Sequence, residues 1–455
     1  NQRLRQKMVF GVASAAFRAA SRHAATSGGI RKLGLRTAAV GGVVAAACSY
    51  YASSFAEAKA AGALVMSGDC GGTNTRLILF RVEPGATATQ GETPRGSIVF
   101  EKKYLNADNE SFSAVCTKFL KEAETSTYGE KPMVCCLACA GGIRNNCVSF
   151  TNVKKGWIID GNLLSEELGI PTVKLINDFE AQGYGLLTLS PKECIRLNDA
   201  KPLPGAPIAC VGAGTGLGEC FLTCANGKYT CWPSEGGHAE FSPRSELGME
   251  LLAYMKDRLT EFATPEKVER QFRKWDINCD GAIDRQEFAA AVMDTDMLKS
   301  SLRPKRISVE RVVSGPGIAD VYGFLRTHWA FVEFLDDDID QQYLAAASHM
   351  KGAIVAKGSH AGQRVCKKAV DIFNECYGSE VGVAALKWLP FGGLYISGGI
   401  AAKNPSWIQS DEFMHAYMDK GRMSPLVGSV PLFVVLTEDT GERGALFFAV
   451  QMLDN

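Results

Sequence analysis

The residues that could do chemistry come in short runs at the ends of apolar segments. In Leu64–Arg81, LVMSGDCGGTNTRLILFR, the run Asp69, Cys70, Gly71, Gly72, Thr73 and Asn74 separates two apolar stretches. A glycine turn lets the backbone approach a ligand and point its N–H groups outward. A carboxylate at a strand end can hold a hydrated magnesium ion. The stretch therefore reads as a phosphate-binding hairpin, or, more simply, as an Asp-Gly turn between two strands. The plan returns at Ala209–Cys220, where Gly212, Gly214, Thr215, Gly216 and Gly218 lie between ACVG and ECFL. The spacing is not G-x-G-x-x-G and no Lys-Ser/Thr follows, so neither a Rossmann nor a Walker loop fits. Two such hairpins, one in each half, could hold a nucleotide's phosphates, and the plainer reading of the second is a tight β-hairpin.

A separate run, D-I-N-C-D-G-A-I-D-R-Q-E at 276–287, has the spacing of a calcium loop. Asp276, Asn278 and Asp280 stand at positions one, three and five, and Gly281 takes the sharp turn at six. Ala282 offers its carbonyl at seven, Asp284 sits at nine, and Glu287 is the bidentate ligand at twelve. The flanks read as helices, with Val268, Phe272 and Trp275 before the loop and Phe288, Val292 and Met293 after it. Such hands usually pair, so a lone one has to pack on the body of the protein or on another molecule. A loop kept only for structure is the alternative.

These residues need a scaffold that brings strand ends together. Strands are expected at Ser97–Tyr104, Pro132–Ala140, Thr172–Ile176 and Ile208–Val211. Helices are expected at Ser111–Ala123, with Phe112, Val115, Phe119 and Leu120 on one face, from Asn162, and at Ser245–Arg258. Alternating strands and helices with polar or glycine turns at strand ends mean an α/β fold with its ligand sites there.

Bulk properties agree. The 455 residues carry a formal net charge of zero, with 46% hydrophobic and 22% charged residues, enough for two sizeable domains. No basic excess points to nucleic acid. Many cysteines (Cys135, Cys136, Cys139, Cys210, Cys220) sit inside apolar runs, which favours buried, reduced thiols over a disulfide framework. The Cys136/Cys139 pair has no second pair at zinc spacing. Residues 1–56 contain no Asp or Glu but carry Arg3, Arg5, Lys7, Arg18, Arg22, Arg31, Lys32 and Arg36 among Ala, Ser and Gly. Residues 1–62 are therefore read as a leader or linker, a mitochondrial or plastid transit peptide with Met8 as a start. Without that leader, the expectation is a cytoplasmic protein. Thr37–Ala56 is Ala-rich and interrupted by Ser and Tyr, so stable membrane anchoring is disfavoured.

DCGGTNTRL, LINDFEAQGYG, GAGTGLG, SEGGHAEFSP, SVERVVSGPGI and LYISGGIAAKN occur in the order of the bacterial-type glucokinases. The chain resembles that family over about Leu64–Arg258 and Ile307–Leu453. The resemblance implies a two-domain ribonuclease-H-like α/β kinase fold of the actin/hexokinase superfamily. The expected small domain is 63–188 plus 437–455 and the large one 189–436, with an EF-hand helix-loop-helix inserted at 260–305. It also implies ATP-dependent phosphorylation of glucose to glucose 6-phosphate, with ATP, Mg2+ and Ca2+ as cofactors. A kinase of another hexose, and a non-catalytic sugar or calcium sensor, are the alternatives. The expected partners are glucose and ATP, and a homodimer stays open.

Phosphoryl transfer to a sugar needs phosphate cradles, a metal and a base for the attacking hydroxyl. Asp178, at a strand end in Asn177-Asp178, is read as that base, and the resemblance assigns it the same role. A helix N-cap aspartate is the structural alternative. Glu235 and His238 in SEGGH and Glu310 in SVER resemble the family's sugar ligands, although His238 could be a structural turn residue. Asn177 would add a sugar hydrogen bond. By the same resemblance Asp69 goes to the magnesium and β/γ-phosphate region. Gly71, Gly72, Thr73 and Asn74, with Gly212, Gly214, Thr215 and Gly216, go to phosphates. The turns holding Gly315 and Gly317, and Gly398 and Gly399, resemble the adenosine side. At 140–146 the chain reads AGGIRNN, where relatives often have a proline, which leaves sugar contacts by Asn145 and Asn146 open.

Overall fold

The computed structural model describes residues 62–150, 156–260 and 304–453. But for their margins, the leader expected at 1–62 and the helix-loop-helix expected at 260–305 lie outside the described residues. That includes the expected calcium ligands Asp276, Asn278, Asp280, Ala282, Asp284 and Glu287. The chain divides into two compact units, residues 1–178 with 445–455 and residues 179–444.

The first unit is built on a five-stranded sheet. Its strands are β1 (Leu64–Cys70), β2 (Asn74–Val82), β3 (Gly96–Leu105), β4 (Val134–Cys139) and β7 (Thr172–Asn177), in the order β3-β2-β1-β4-β7. β5 (Cys147–Phe150) and β6 (Trp157–Asp160) form a separate antiparallel pair. β1 to β3 are an antiparallel meander, whereas β1, β4 and β7 are parallel. Every residue of β4 is buried, as the centre of a sheet covered on both faces requires. The helix Phe112–Glu122 lies on the sheet through Phe112, Val115 and Phe119, the face its periodicity predicts. Ser111 caps it, accepting from the Ala114 N–H at 3.1 Å.

The second unit repeats the arrangement with an extra edge. Its strands are β8 (Cys194–Arg196), β9 (Ile208–Ala213), β10 (Leu217–Ala225), β11 (Lys228–Ser234), β12 (Gly393–Ser397) and β13 (Leu432–Val435). Their order is β11-β10-β9-β12-β13-β8. Again an antiparallel meander leads into parallel strands. In both units the parallel strands therefore end at one edge of the sheet, and the turns after β1, β4, β7, β9 and β12 follow such ends.

All described cysteines are free. Cys136 and Cys139 are three apart on one strand, so their side chains leave opposite faces and cannot pair. Burial pushes the Cys116 and Cys135 thiols far up, which keeps them protonated as apolar filler. Among the described residues no helix is long and apolar enough to cross a membrane.

Near the unit boundary, inside 179–444, the helices Asp178–Leu186 and Thr440–Met452 touch backbone to backbone. A Cβ on Gly444 would lie 1.7 Å from the Ala181 carbonyl oxygen. Gly444→Ala is therefore expected to cost about 1–3 kcal/mol, read as a lowered Tm in a thermal melt. Gly214→Ala is the control, because a Cβ there meets nothing within 4 Å.

Candidate active site

The turn between β1 and β2 is closed by the Gly71 N–H donating to Asn74 O at 3.0 Å. A side chain from elsewhere clamps it. Asn106 is 2% exposed. Its Nδ2 donates to Gly71 O at 2.8 Å and its backbone N–H to Thr73 O at 2.9 Å, while Thr75 Oγ1 donates to its Oδ1 at 2.9 Å. Neither Gly71 nor Gly72 takes a left-handed angle, and a Cβ on Gly71 would come no nearer than 3.6 Å to Asn74 O. Packing does not demand glycine at 71, so the bare backbone there is open to a ligand.

Asp69 is the one exposed residue of β1. Its carboxyl is nevertheless held above the usual carboxylate range. Surrounding protein displaces water from it, and the charge of Asp178 adds to the shift, while Arg76 and Lys103 pull the other way. Asp178 is exposed at the end of β7 and is the first residue of the helix Asp178–Leu186. A carboxylate whose proton affinity is raised by a second carboxylate beside it suits a divalent cation, which removes the repulsion. Among the described residues no three His, Cys, Asp or Glu side chains form an all-protein metal cage. Magnesium needs none, because it keeps waters and takes one or two carboxylates together with substrate phosphates.

Asn177 Nδ2 donates to Gly141 O at 3.1 Å, which ties β7 to the glycine turn after β4. Asn145 and Asn146 both take left-handed angles, φ 50° and 60°. The Asn146 amide bonds β7, with Nδ2 donating to Val173 O at 2.9 Å and Oδ1 accepting from the Leu175 N–H at 2.8 Å, and Nδ2 also donates to Asn162 Oδ1 at 3.4 Å. This side chain holds a strand in place.

In the second unit the β9–β10 turn bonds internally, Gly214 N–H to Gly216 O at 2.8 Å. Its glycines separate by cause. A Cβ on Gly212 or Gly218 would run into the Phe179 ring, at 2.7 and 2.0 Å. One on Gly216 would meet Glu310 Oε2 at 2.6 Å. Only Gly214 has open space, and Thr215 beside it is exposed. The Gly315 N–H donates to Gly214 O at 2.8 Å. That contact sets the start of the helix Gly315–Leu325, capped by Ser314, against the hairpin. A helix N-terminus beside a glycine turn favours phosphate. At the end of β12, Gly398 has φ +88° and a Cβ there would lie 2.6 Å from Ala213 O, so the turn before Gly399–Lys403 requires glycine.

Glu235, His238 and Glu310 come together. His238 Nε2 lies 3.6 Å from Glu235 Oε2, and its Nδ1 lies 3.9 Å from Glu310 Oε1. Their side chains are 71%, 56% and 27% exposed respectively, so all three carry accessible polar groups. The single turn Gly236–His238 exists because two glycines let it lie directly on β10. A Cβ on Gly237 would meet Leu217 O at 2.0 Å and one on Gly236 would meet Glu219 Oε2 at 1.8 Å. The Leu217 N–H donates to Glu310 Oε2 at 3.1 Å, and Arg306 Nη1 donates to His238 O at 2.6 Å. The Val309 N–H donates to Ala239 O at 2.9 Å. Backbone contacts thus place the two segments that carry these side chains, and of the three side chains Glu310 is itself held by a backbone N–H. Sequence reasoning missed Asn106 and Glu219. Asn106 leaves no local signal, but Glu219 is a lone acid in the apolar strand ECFL and was legible as such.

A family profile described as Glucokinase matches residues 66–268 and 284–452. The glucokinase of Nostoc sp. is 35% identical over 396 residues, covering 86% of this chain and 99% of the relative. That of Synechocystis sp. is 32% identical over 404 residues, with the same coverage. Among solved structures, a glucokinase from an Antarctic psychrotroph superposes with TM-score 0.60 at 23% identity, covering 85% of this chain and 98% of that one. A Balamuthia mandrillaris glucokinase in complex with glucose gives TM-score 0.61 at 17% identity, covering 88% and 98%. These two support the fold.

Proposed function

Because the chain belongs to the glucokinase family, we propose that it transfers the γ-phosphoryl group of ATP to the 6-hydroxyl of glucose. It is a kinase by family. The observation that carries the choice of a sugar acceptor is the Glu235, His238 and Glu310 cluster against the glycine hairpin, with Glu310 touching Gly216. Each carboxylate can accept hydrogen bonds from two neighbouring hydroxyls, which suits a polyol and not an apolar substrate. The hairpin beside it presents the open backbone at Gly214 that a phosphate needs. The glucose-bound relative named above supports the same acceptor.

In this reading Asp178 accepts the 6-hydroxyl proton as the sugar oxygen bonds to the γ-phosphorus. The bond to the bridging oxygen breaks and ADP leaves with its electron pair. Asp69 is the residue fitted to hold magnesium, which when bound offsets charge on the β- and γ-phosphates. Asn177 adds a hydrogen bond to the sugar. The turns at Gly71–Asn74 and Gly214–Thr215 position phosphates, and those at Gly315 and Gly398–Gly399 face the adenosine. Positioning and electrostatics supply most of the rate in such transfers. Gly214→Ala is expected to leave Tm unchanged and raise the KM for ATP severalfold, checked by melts and initial rates on the same preparation. A panel of hexoses in an ADP-coupled assay tests the acceptor. Glucose is expected to give the highest kcat/KM, and a higher value for another hexose would move the assignment to that sugar.

The run 276–287 supports a finer proposal, a calcium-binding EF-hand. The family profile breaks at 269–283, which overlaps this run at 276–283, and the ligand spacing is complete. Titration calorimetry with calcium on the full chain tests it, with Glu287→Gln as the control. Heat that persists unchanged in the variant would remove the proposal.

A further inference from the structure

The Gly236–His238 turn rests on a carboxyl group that the reaction does not use. Glu219 stands on β10 opposite Ser234 of β11 and Val211 of β9, and is 0% exposed. No donor other than the neighbouring Glu380 carboxyl reaches either of its oxygens. A Cβ on Gly236 would come within 1.8 Å of its Oε2, so the carboxyl is the floor of the turn. Beside it lies Glu380, from the helix Arg364–Trp388, itself 8% exposed with Oε1 unpartnered. Two buried acids side by side, bonded to one another through a shared proton, cannot both stay ionised. Glu380 also lines a cleft of about 420 Å³ together with Arg244 and Lys387, which gives the pair a route for exchanging a proton with water.

We propose that Glu219 is a positioning residue for sugar binding, and that its neutral carboxyl supports the turn carrying Glu235 and His238. Ionisation of Glu219 places an unpaired charge directly beneath Gly236 and moves those two side chains. The proposal rests on the reading of Glu235 and His238 as sugar contacts.

The surroundings fix the direction of the pH effect. Burial and the Glu380 charge push the Glu219 carboxyl up to about 8, and Lys387 on the same helix opposes them. Lys420 acts on Glu380 from the other side, with Arg244 and Asp419 beside it. Tyr377, whose charge state also couples to Glu219, accepts from the Ala213 N–H and donates to Val211 O, and burial keeps it protonated; Glu235 and His238 flank the turn above. The folded state thus holds a proton that the unfolded chain releases near pH 4.5. Stability from this group is complete below that value and falls as pH rises towards 8.

The test is glucose KM and kcat from pH 6 to 9.5 on the full chain. Wild type is expected to show a KM that climbs above about pH 8, by up to about tenfold per pH unit, the limit for one proton lost, with kcat changing less. Glu219→Gln keeps the shape without the charge, so its KM should stay flat across the range. Its Tm should also fall less between pH 5 and 9 than that of wild type. Glu219→Leu loses the polar floor and should raise KM at every pH. A wild-type KM flat to pH 9.5, or the same alkaline climb in Glu219→Gln, overturns the proposal. Glu235→Gln separates it from the reading beneath it. If that variant leaves glucose KM unchanged at pH 7, the sugar assignment is wrong. If it raises KM while Glu219→Gln follows wild type at every pH, the positioning role alone is wrong.

Discussion

Asp178→Asn is expected to bind glucose with little change and to lose about two to four orders of magnitude in kcat. The amide keeps the size and polarity of the carboxylate but cannot take a proton. Asp178 stands at the mouth of the first sheet, exposed, one residue past the end of β7. Beneath it β7 is held by its register with β4 and by the Asn146 amide. Loss of activity without loss of Tm is therefore the signature of a base. A kcat reduced less than roughly tenfold in a folded variant would assign the proton to another group. Removing the Asp178 charge should also let the Asp69 carboxyl return towards its ordinary range, because that charge contributes to raising it. The direction is measurable by NMR titration of the Asp69 side chain.

Glu235→Ala is expected to weaken glucose and spare ATP. The variant removes one charged acceptor, on the order of 1.5–3 kcal/mol, which is about ten- to a hundred-and-fiftyfold in glucose KM. The Glu235 side chain is 71% exposed without sugar, and no backbone donor holds it, so truncation has little structural consequence. Glu310 differs. Its Oε2 accepts from the Leu217 N–H, and Glu310→Ala would also leave that donor unpartnered and loosen the start of β10. The two substitutions should therefore separate in thermal melts, with Glu235→Ala close to wild type and Glu310→Ala lower. A raised ATP KM with unchanged glucose KM in Glu235→Ala would remove the sugar role.

Much of this architecture could be read from the chain, and for physical reasons. The core-facing stripe of Phe112–Glu122 is a matter of helical period, and β4 is an unbroken apolar run because both of its faces are covered. The two hairpins showed themselves because the same strand, glycine turn and strand plan occurs twice, once in each half. The three-dimensional structure supplied the reason for each glycine separately. Gly212, Gly216 and Gly218 make room for Phe179 and Glu310, while Gly214 makes room for nothing in the protein. A motif cannot make that distinction, since all four look alike in a row. Asn106 was illegible because its partners, Gly71, Thr73 and Thr75, are more than thirty positions away. The grouping of Glu235 and His238 with Glu310 was implied by family resemblance alone. It depends on the pairing of 239–241 with 307–309, more than sixty positions apart.

The measurement that bears most directly on the central claim is a phosphorus NMR time course of the purified chain with ATP, magnesium and glucose. The account predicts glucose 6-phosphate and ADP appearing in equal amounts, with neither formed by Asp178→Asn on the same timescale. ADP released without a sugar phosphate, or phosphate appearing at another hydroxyl, would contradict it.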